Sequence, residues 1–340
     1  MLCTYIRSSS YNQYSYCQMS YFITYVLGFQ QPSGKRAEIG TIVHKAMESL
    51  AKLKHFSQDN PKKTKLIVND DALGELNFKK SELFTDECVD ILLKKSFDFY
   101  TEDSHHAFSK ADNANCRQLV YDTLLYNDGQ FDPRNRKIIA AEPHFDIPIE
   151  EEWAKYEYEF PDGRIINGQL AIKGTIDLVT ESSDGVIEVI DWKTGRRLDW
   201  ATGEEKTYEK LCSDPQLLLY NYAISKLFPN YKQSIMSIFF IKDGGPFSMC
   251  FDKEDHGRFL EMLKNKFEEI KSNNKPQPLS QSRDSWKCTK LCHYYKNNWD
   301  NSDKSICQYV DDHLQLYGIS DTIKKCSKDG FDIGFYSAPG

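Results

Sequence analysis

The chain lacks any surplus of basic residues. Its 43 Lys and Arg are outnumbered by 50 Asp and Glu, for a formal net charge of −7. No overall field draws it toward a polyanion, so contact with nucleic acid has to come from local basic patches or from metal in a site. Nowhere do about 18 apolar residues run together, which excludes a spanning helix and leaves no membrane partner to expect. The opening MLCTYIRSSSYNQYSYCQMSYF has neither the basic start nor the continuous apolar core of a secretory signal, so a cytoplasmic protein is expected. Internal repeats and low-complexity tracts are absent. The 10 cysteines are irregularly spaced in a long chain, so metal or cluster ligation by some and free thiols for the rest are expected rather than a disulfide framework. What the chain does have is length and apolar content. With 340 residues, 40% hydrophobic and 13% aromatic, it can bury a substantial core and is not disordered.

The most informative chemistry lies in residues 170–195, LAIKGTIDLVTESSDGVIEVIDWKTG. Leu170, Ile172, Thr175 and Ile176 lead into Asp177. A Ser-Ser-Asp-Gly turn then separates that run from Val186, Ile187, Val189 and Ile190, and the pattern predicts a β-hairpin. The second strand ends in Asp191-Trp192-Lys193-Thr194-Gly195. Residues two apart on a strand share a face, so Asp191 and Lys193 point the same way, and Asp177 can sit beside them. Two carboxylates at a sheet edge suit Mg²⁺ or Mn²⁺, which take oxygen ligands and keep several waters. An isolated D-x-K is more often a solvated surface pair, and the surrounding pieces decide otherwise.

Those pieces come in order along the chain. In AEIGTIVHKAMESLAKL, Ile39, Val43, Ala46, Met47 and Leu50 mark one helix face, while Gly40, His44 and Glu48 share another at i, i+4, i+8. After the D-x-K-T-G run, SDPQLLLYNYAISKLF opens with a helix-start signal and carries Gln216 and Tyr220 four apart. Together G-x-x-x-H-x-x-x-E, G-x-x-D, I-D-W-K-T-G and Q-x-x-x-Y resemble the PD-(D/E)XK nucleases, in the RecB-like branch that includes CRISPR-adaptation exonucleases. The resemblance implies a restriction-endonuclease-like α/β core, a mixed central sheet flanked by helices. It implies that Asp177 and Asp191 bind one or two Mg²⁺ or Mn²⁺ ions, with His44 as a third ligand and the Trp192 carbonyl as another. Lys193 then positions the attacking water or helps to deprotonate it. Gln216 and Tyr220 contact the DNA backbone or order the site, and Arg196 and Arg197, directly after the catalytic strand, are placed to meet a phosphate. Glu142, on a strand candidate in IIAAEPHFDIPI, is read as a surface residue, with tuning of the site as the alternative.

The expected organisation is N-terminal helices over 1–50, with Cys17 and the His44 motif, then a mainly helical insertion over 51–136. A nuclease core over 137–280, a cysteine-cluster region over 281–310 and a tail over 311–340 follow. Cys288, Cys292 and Cys307 lie in a short basic and aromatic stretch. With Cys17 they resemble the one-plus-three arrangement that holds a 4Fe–4S cluster in RecB-like exonucleases, though C-x3-C-x14-C is wider than usual there. Zn²⁺ on the same four, Zn²⁺ with His293 in place of a cysteine, and free thiols stay open. The function implied is a metal-dependent exonuclease, rather than endonuclease, acting on single-stranded DNA or a duplex end. Recombination, repair or end processing in a bacterium or phage, beside a helicase or recombination partner, is the expected setting. The alternatives are a catalytically silent nucleic-acid-binding or assembly subunit of the same fold, and a redox protein built on the cysteines.

Overall fold

A 25-residue helix, α1 (Lys35–Asp59), follows from the apolar spacing noted above and buries Ile42, Val43, Ala46, Met47, Leu50 and Leu53 along one side. The computed structural model describes residues 1–328 except 161–162, 184, 200–202, 244 and 283–284. Within them the chain forms two compact units that interleave along the sequence. One comprises Ser33–His144 with Thr175–Asp255, the other Met1–Pro32, Phe145–Gly174 and His256–Gly340.

In the first unit α1 is followed by an antiparallel hairpin, β1 (Lys65–Asp70) and β2 (Gly74–Lys79), and by helices α2 (Asp86–Glu102) and α3 (Lys110–Leu125). Thr85 and Ser109 cap the two helices by accepting the N–H of Cys88 and Asp112. The mainly helical character expected of 51–136 corresponds to α2 and α3. The hairpin escaped that reading, because the apolar run Leu66-Ile67-Val68 does not alternate, although only Leu66 of it is buried and Ile67 is exposed. Nor is this segment set apart. Leu66, Phe78, Leu92 and Leu119 share one buried cluster with Met47 of α1 and with Ile190 and Trp192 of the sheet.

The central sheet contains β3 (Lys137–Ala141), β4 (Leu178–Ser183), β5 (Val186–Lys193), β6 (Gln233–Phe240) and β7 (Gly245–Phe251), with α4 (Pro215–Leu227) between β5 and β6. Its order is β7-β6-β5-β4-β3. The β5–β6 pair is parallel and the others are antiparallel, so the sheet is mixed. A parallel pair needs a crossover, and α4 lies in it. Ile187 to Trp192 are buried without interruption, so β5 is covered on both faces. Ile190 and Trp192 join the α1 cluster, while Asp191, on the opposite face, receives a hydrogen bond from Gln216 of α4. This is the mixed sheet between helices that the motifs implied.

The hairpin expected over 170–195 is shorter than its sequence pattern. Only β4 and β5 form it, with the first residues of the Ser-Ser-Asp-Gly run in β4 and Asp184 outside the described residues. The preceding strand, Ala171–Thr175, belongs to a three-stranded sheet with Tyr5–Ile6 and His144–Pro148. Gly174 is required there, since a Cβ at that position would lie 2.6 Å from the Phe145 ring.

The second unit also carries a two-stranded sheet, Lys155–Glu159 with Ile165–Gln169, and helices Ser8–Tyr16, Lys253–Ser272 and Ile306–Cys326. Of the expected tail, 329–340 lie outside the described residues. No helix among those described is long and apolar enough to cross a membrane.

Candidate active site

Four side chains from three elements meet where β5 ends. Asp177 immediately precedes β4, and its Oδ2 accepts the Trp192 N–H at 2.9 Å, which ties it to β5. Its Oδ1 lies 3.3 Å from His44 Nδ1 on α1. Asp191 is buried, and Lys193 Nζ stands 2.6 Å from its Oδ2. This confirms the shared face expected of residues two apart on a strand. Gln216 Nε2 donates to Asp191 Oδ1 at 3.3 Å and to the Tyr220 hydroxyl at 2.9 Å, and that hydroxyl donates to the Thr175 carbonyl at 2.8 Å. Gln216 and Tyr220 thus order the site from α4 and fasten the backbone just before Asp177. The glycine of G-x-x-x-H has a reason as well. A Cβ on Gly40 would lie 3.0 Å from Thr194 Oγ1, so a side chain there would crowd the loop after β5 and make Thr194 give way.

The two carboxylates are driven apart electrostatically. Burial would raise the Asp177 pKa, but the charge and hydrogen bond of His44, the charge of Lys193 and the Trp192 N–H together hold it below the usual carboxylate value. Burial and the neighbouring Asp177 charge push Asp191 up despite Lys193. Burial works against the charged forms of His44 and Lys193, yet the carboxylates outweigh it and raise both. Asp191 Oδ2 is shut off from water and, despite the nearby ammonium, makes no well-angled hydrogen bond. Two carboxylates, an imidazole and a lysine in one half-buried corner have little structural purpose, and the oxygen-rich donor set fits a hard divalent cation. Among the described residues no three His, Cys, Asp or Glu side chains already stand in ligating geometry.

Sequence reasoning undervalued one residue and missed a network. Glu142 was expected at the surface. It is instead partly buried, at φ +51°, and its N–H bonds the Asp177 carbonyl at 3.0 Å. Its side chain faces Glu48, and burial followed by that neighbour raises its pKa to about 7. Glu142, Glu48, Tyr100 and Trp192 line a cavity of 90 Å³ that also reaches His44 and Asp177. Behind it Lys45 bonds Glu48 at 2.9 Å and Asp70 at 3.1 Å, and Lys52 bonds Asp70 at 3.0 Å and pairs with Glu48 as well. This network fixes the helix turn that carries His44 to the β1–β2 hairpin. Asp70 comes from the strand that the pattern did not reveal, so no local signal could have found it.

Arg197 is engaged within the protein instead of facing solvent. Its N–H donates to Asp243 and its guanidinium is held by Glu205 and the Lys206 carbonyl. Arg196 is exposed, at the rim of a cleft. In the second unit Cys17, Cys288, Cys292 and Cys307 are drawn into one neighbourhood. Cys17 caps the helix Gln18–Tyr21, and its Sγ accepts the Ser20 N–H at 3.4 Å. Burial, and then the charges of Cys292 and Cys17, raise Cys288 to about 11, and the other three thiols add to a larger rise at the buried Cys307. His293 hydrogen-bonds the side chain of Asn297.

A family model described as the PD-(D/E)XK nuclease superfamily matches residues 8–296. No curated protein matches the chain. Among solved structures, one from Eubacterium rectale named "Putative exonuclease" aligns with TM-score 0.44 at 11% identity, over 86% of this chain and 90% of that one. Another, named SSO0001, aligns with TM-score 0.25 at 11% identity, over 78% and 98%.

Proposed function

Because the chain belongs to the PD-(D/E)XK nuclease superfamily, we propose that it is a divalent-metal-dependent exonuclease that hydrolyses phosphodiester bonds of DNA at the end of β5. The observation that carries this reading is the meeting of Asp177, Asp191, His44 and Lys193 in one half-buried corner. Asp177, Asp191 and His44, with the Trp192 carbonyl, are the residues that would hold Mg²⁺ or Mn²⁺. Such an ion, when bound, supplies Lewis-acid stabilisation of the scissile phosphate and lowers the pKa of a water. Lys193 orients the attacking water and offsets charge that builds on the phosphate. Gln216 keeps Asp191 aimed, and Tyr220 holds the backbone beside Asp177. The preference for exonuclease over endonuclease rests on the resemblance of the motif series to the RecB-like branch, and a role in recombination, repair or end processing rests on the same ground.

Loss of an acid or the lysine is the usual mark of a silent domain of this fold, and the presence of all three argues against the silent-subunit alternative. Cys17, Cys288, Cys292 and Cys307 are the candidate ligands of a separate inorganic group, 4Fe–4S or Zn²⁺. Support for that comes from the neighbourhood of the four thiols, of which Cys288, Cys292 and Cys307 are pushed up by burial and by one another's charges. The nuclease proposal is tested on single- and double-stranded DNA labelled at the 5′ or 3′ end. Mono- or short oligonucleotides should accumulate with Mg²⁺ or Mn²⁺ and not with a chelator. Intact DNA under both conditions refutes it.

A further inference from the structure

Beside the catalytic strand end lies a cleft of 930 Å³. Lys35 and Arg36 enter it from the first turn of α1, Thr194 and Arg196 from the loop after Lys193, and Lys242 from the turn after β6. Lys35 is engaged by Asp112 at 2.8 Å. The side chains of Arg36, Arg196 and Lys242 are exposed and have no hydrogen-bond or ion-pair partner among the described residues.

Three unpaired cations around one concavity repel one another, and a chain of net charge −7 has carboxylates enough to neutralise them. Their convergence is therefore suited to an anionic ligand. Among the described residues the lining holds four cationic side chains and no aromatic ring, so the contacts it offers are to phosphates. At 930 Å³ the cleft has the size of a small-ligand pocket, which suits one extended strand rather than a duplex. Residues 194–196 follow Lys193 directly, so a strand cleaved at Lys193 has its next phosphates here.

We propose that this cleft grips about two or three non-scissile phosphates of a single DNA strand, so that the enzyme engages unpaired ends without regard to sequence. The proposal rests on the nuclease reading and names its substrate.

The test measures binding of a fluorescent oligothymidylate of about a dozen nucleotides by anisotropy, in chelator so that nothing is cut, for the unaltered protein and for Arg36→Ala/Lys242→Ala. Both side chains are exposed, and Arg36→Glu provides a second variant with a stronger effect. Each single-strand phosphate contact adds about 0.7 to the slope of log K against log salt, so the double variant should lose about 1.4 and bind roughly tenfold more weakly near 0.1 M salt. A blunt duplex of the same length should compete poorly. An unchanged slope, or a duplex that competes equally, overturns the proposal. Hydrolysis of bis(p-nitrophenyl) phosphate by the unaltered protein reports the chemistry alone. If that reaction proceeds while the double variant binds normally, the cleft is wrong and the nuclease reading stands; if it fails, both fall.

Discussion

Lys193→Ala is expected to lower the rate of DNA hydrolysis by about 10²–10³-fold while leaving DNA affinity within a few-fold of the unaltered protein. The ammonium stands 2.6 Å from Asp191 at the end of a strand buried on both faces. Its removal takes away the only cation of the four-residue corner besides a protonated His44, and with it the group that meets charge developing on the phosphate. Affinity is expected to survive because phosphate contacts away from the scissile bond supply most of it. Single-turnover rates with saturating enzyme check this directly. A variant that cleaves at the original rate removes Lys193 from the chemistry.

Asp70→Asn is expected to destabilise the unit that contains it by roughly 3–5 kcal/mol, toward the lower end because Glu48 still faces both lysines. Asp70 is buried and accepts the N–H groups of Ala72 and Leu73, at 3.0 and 2.9 Å, as well as the Lys45 and Lys52 ammonium groups. Asparagine keeps the shape and an acceptor but leaves two ammonium groups around one carboxylate. Burial alone would raise the Asp70 pKa, yet the Leu73 N–H and then Lys52 and Lys45 lower it to about 2. A carboxylate depressed in the folded state contributes stability above its unfolded pKa of about 3.9 and loses that contribution as pH falls toward its folded value. Urea titrations should therefore show a large gap between the two proteins at pH near 6 that closes between about pH 4 and 2. A gap that is absent at neutral pH, or that widens on acidification, contradicts the assignment.

The convergence of His44, Asp177, Asp191 and Lys193 was legible because each piece is local. Asp191 and Lys193 share a strand face by period two, His44 and Glu48 share a helix face by period four, and Gln216 and Tyr220 repeat that spacing. The mixed sheet was implied by the family resemblance that those pieces carry. What the sequence withheld depends on contacts between distant segments. Glu142 reads as a surface residue until the chain turns at φ +51° and sets it against Glu48. Asp70 sits on a half-buried hairpin whose few apolar anchors give a weak alternation, and the lysines it pairs with look solvated on a helical wheel. Arg197 resembled its neighbour Arg196 in sequence, and only the fold shows one held by Glu205 and the other free at a cleft rim. That cleft draws on α1, β5 and β6, and no stretch of sequence contains it.

The account depends on the corner formed by His44, Asp177 and Asp191 holding a divalent cation. Mn²⁺ binding followed by electron paramagnetic resonance, on the unaltered protein and on Asp177→Asn/Asp191→Asn, tests that most directly. One or two bound ions in the former, and loss of that binding in the latter with the fold intact, is the predicted result; undiminished binding in the double variant would contradict it.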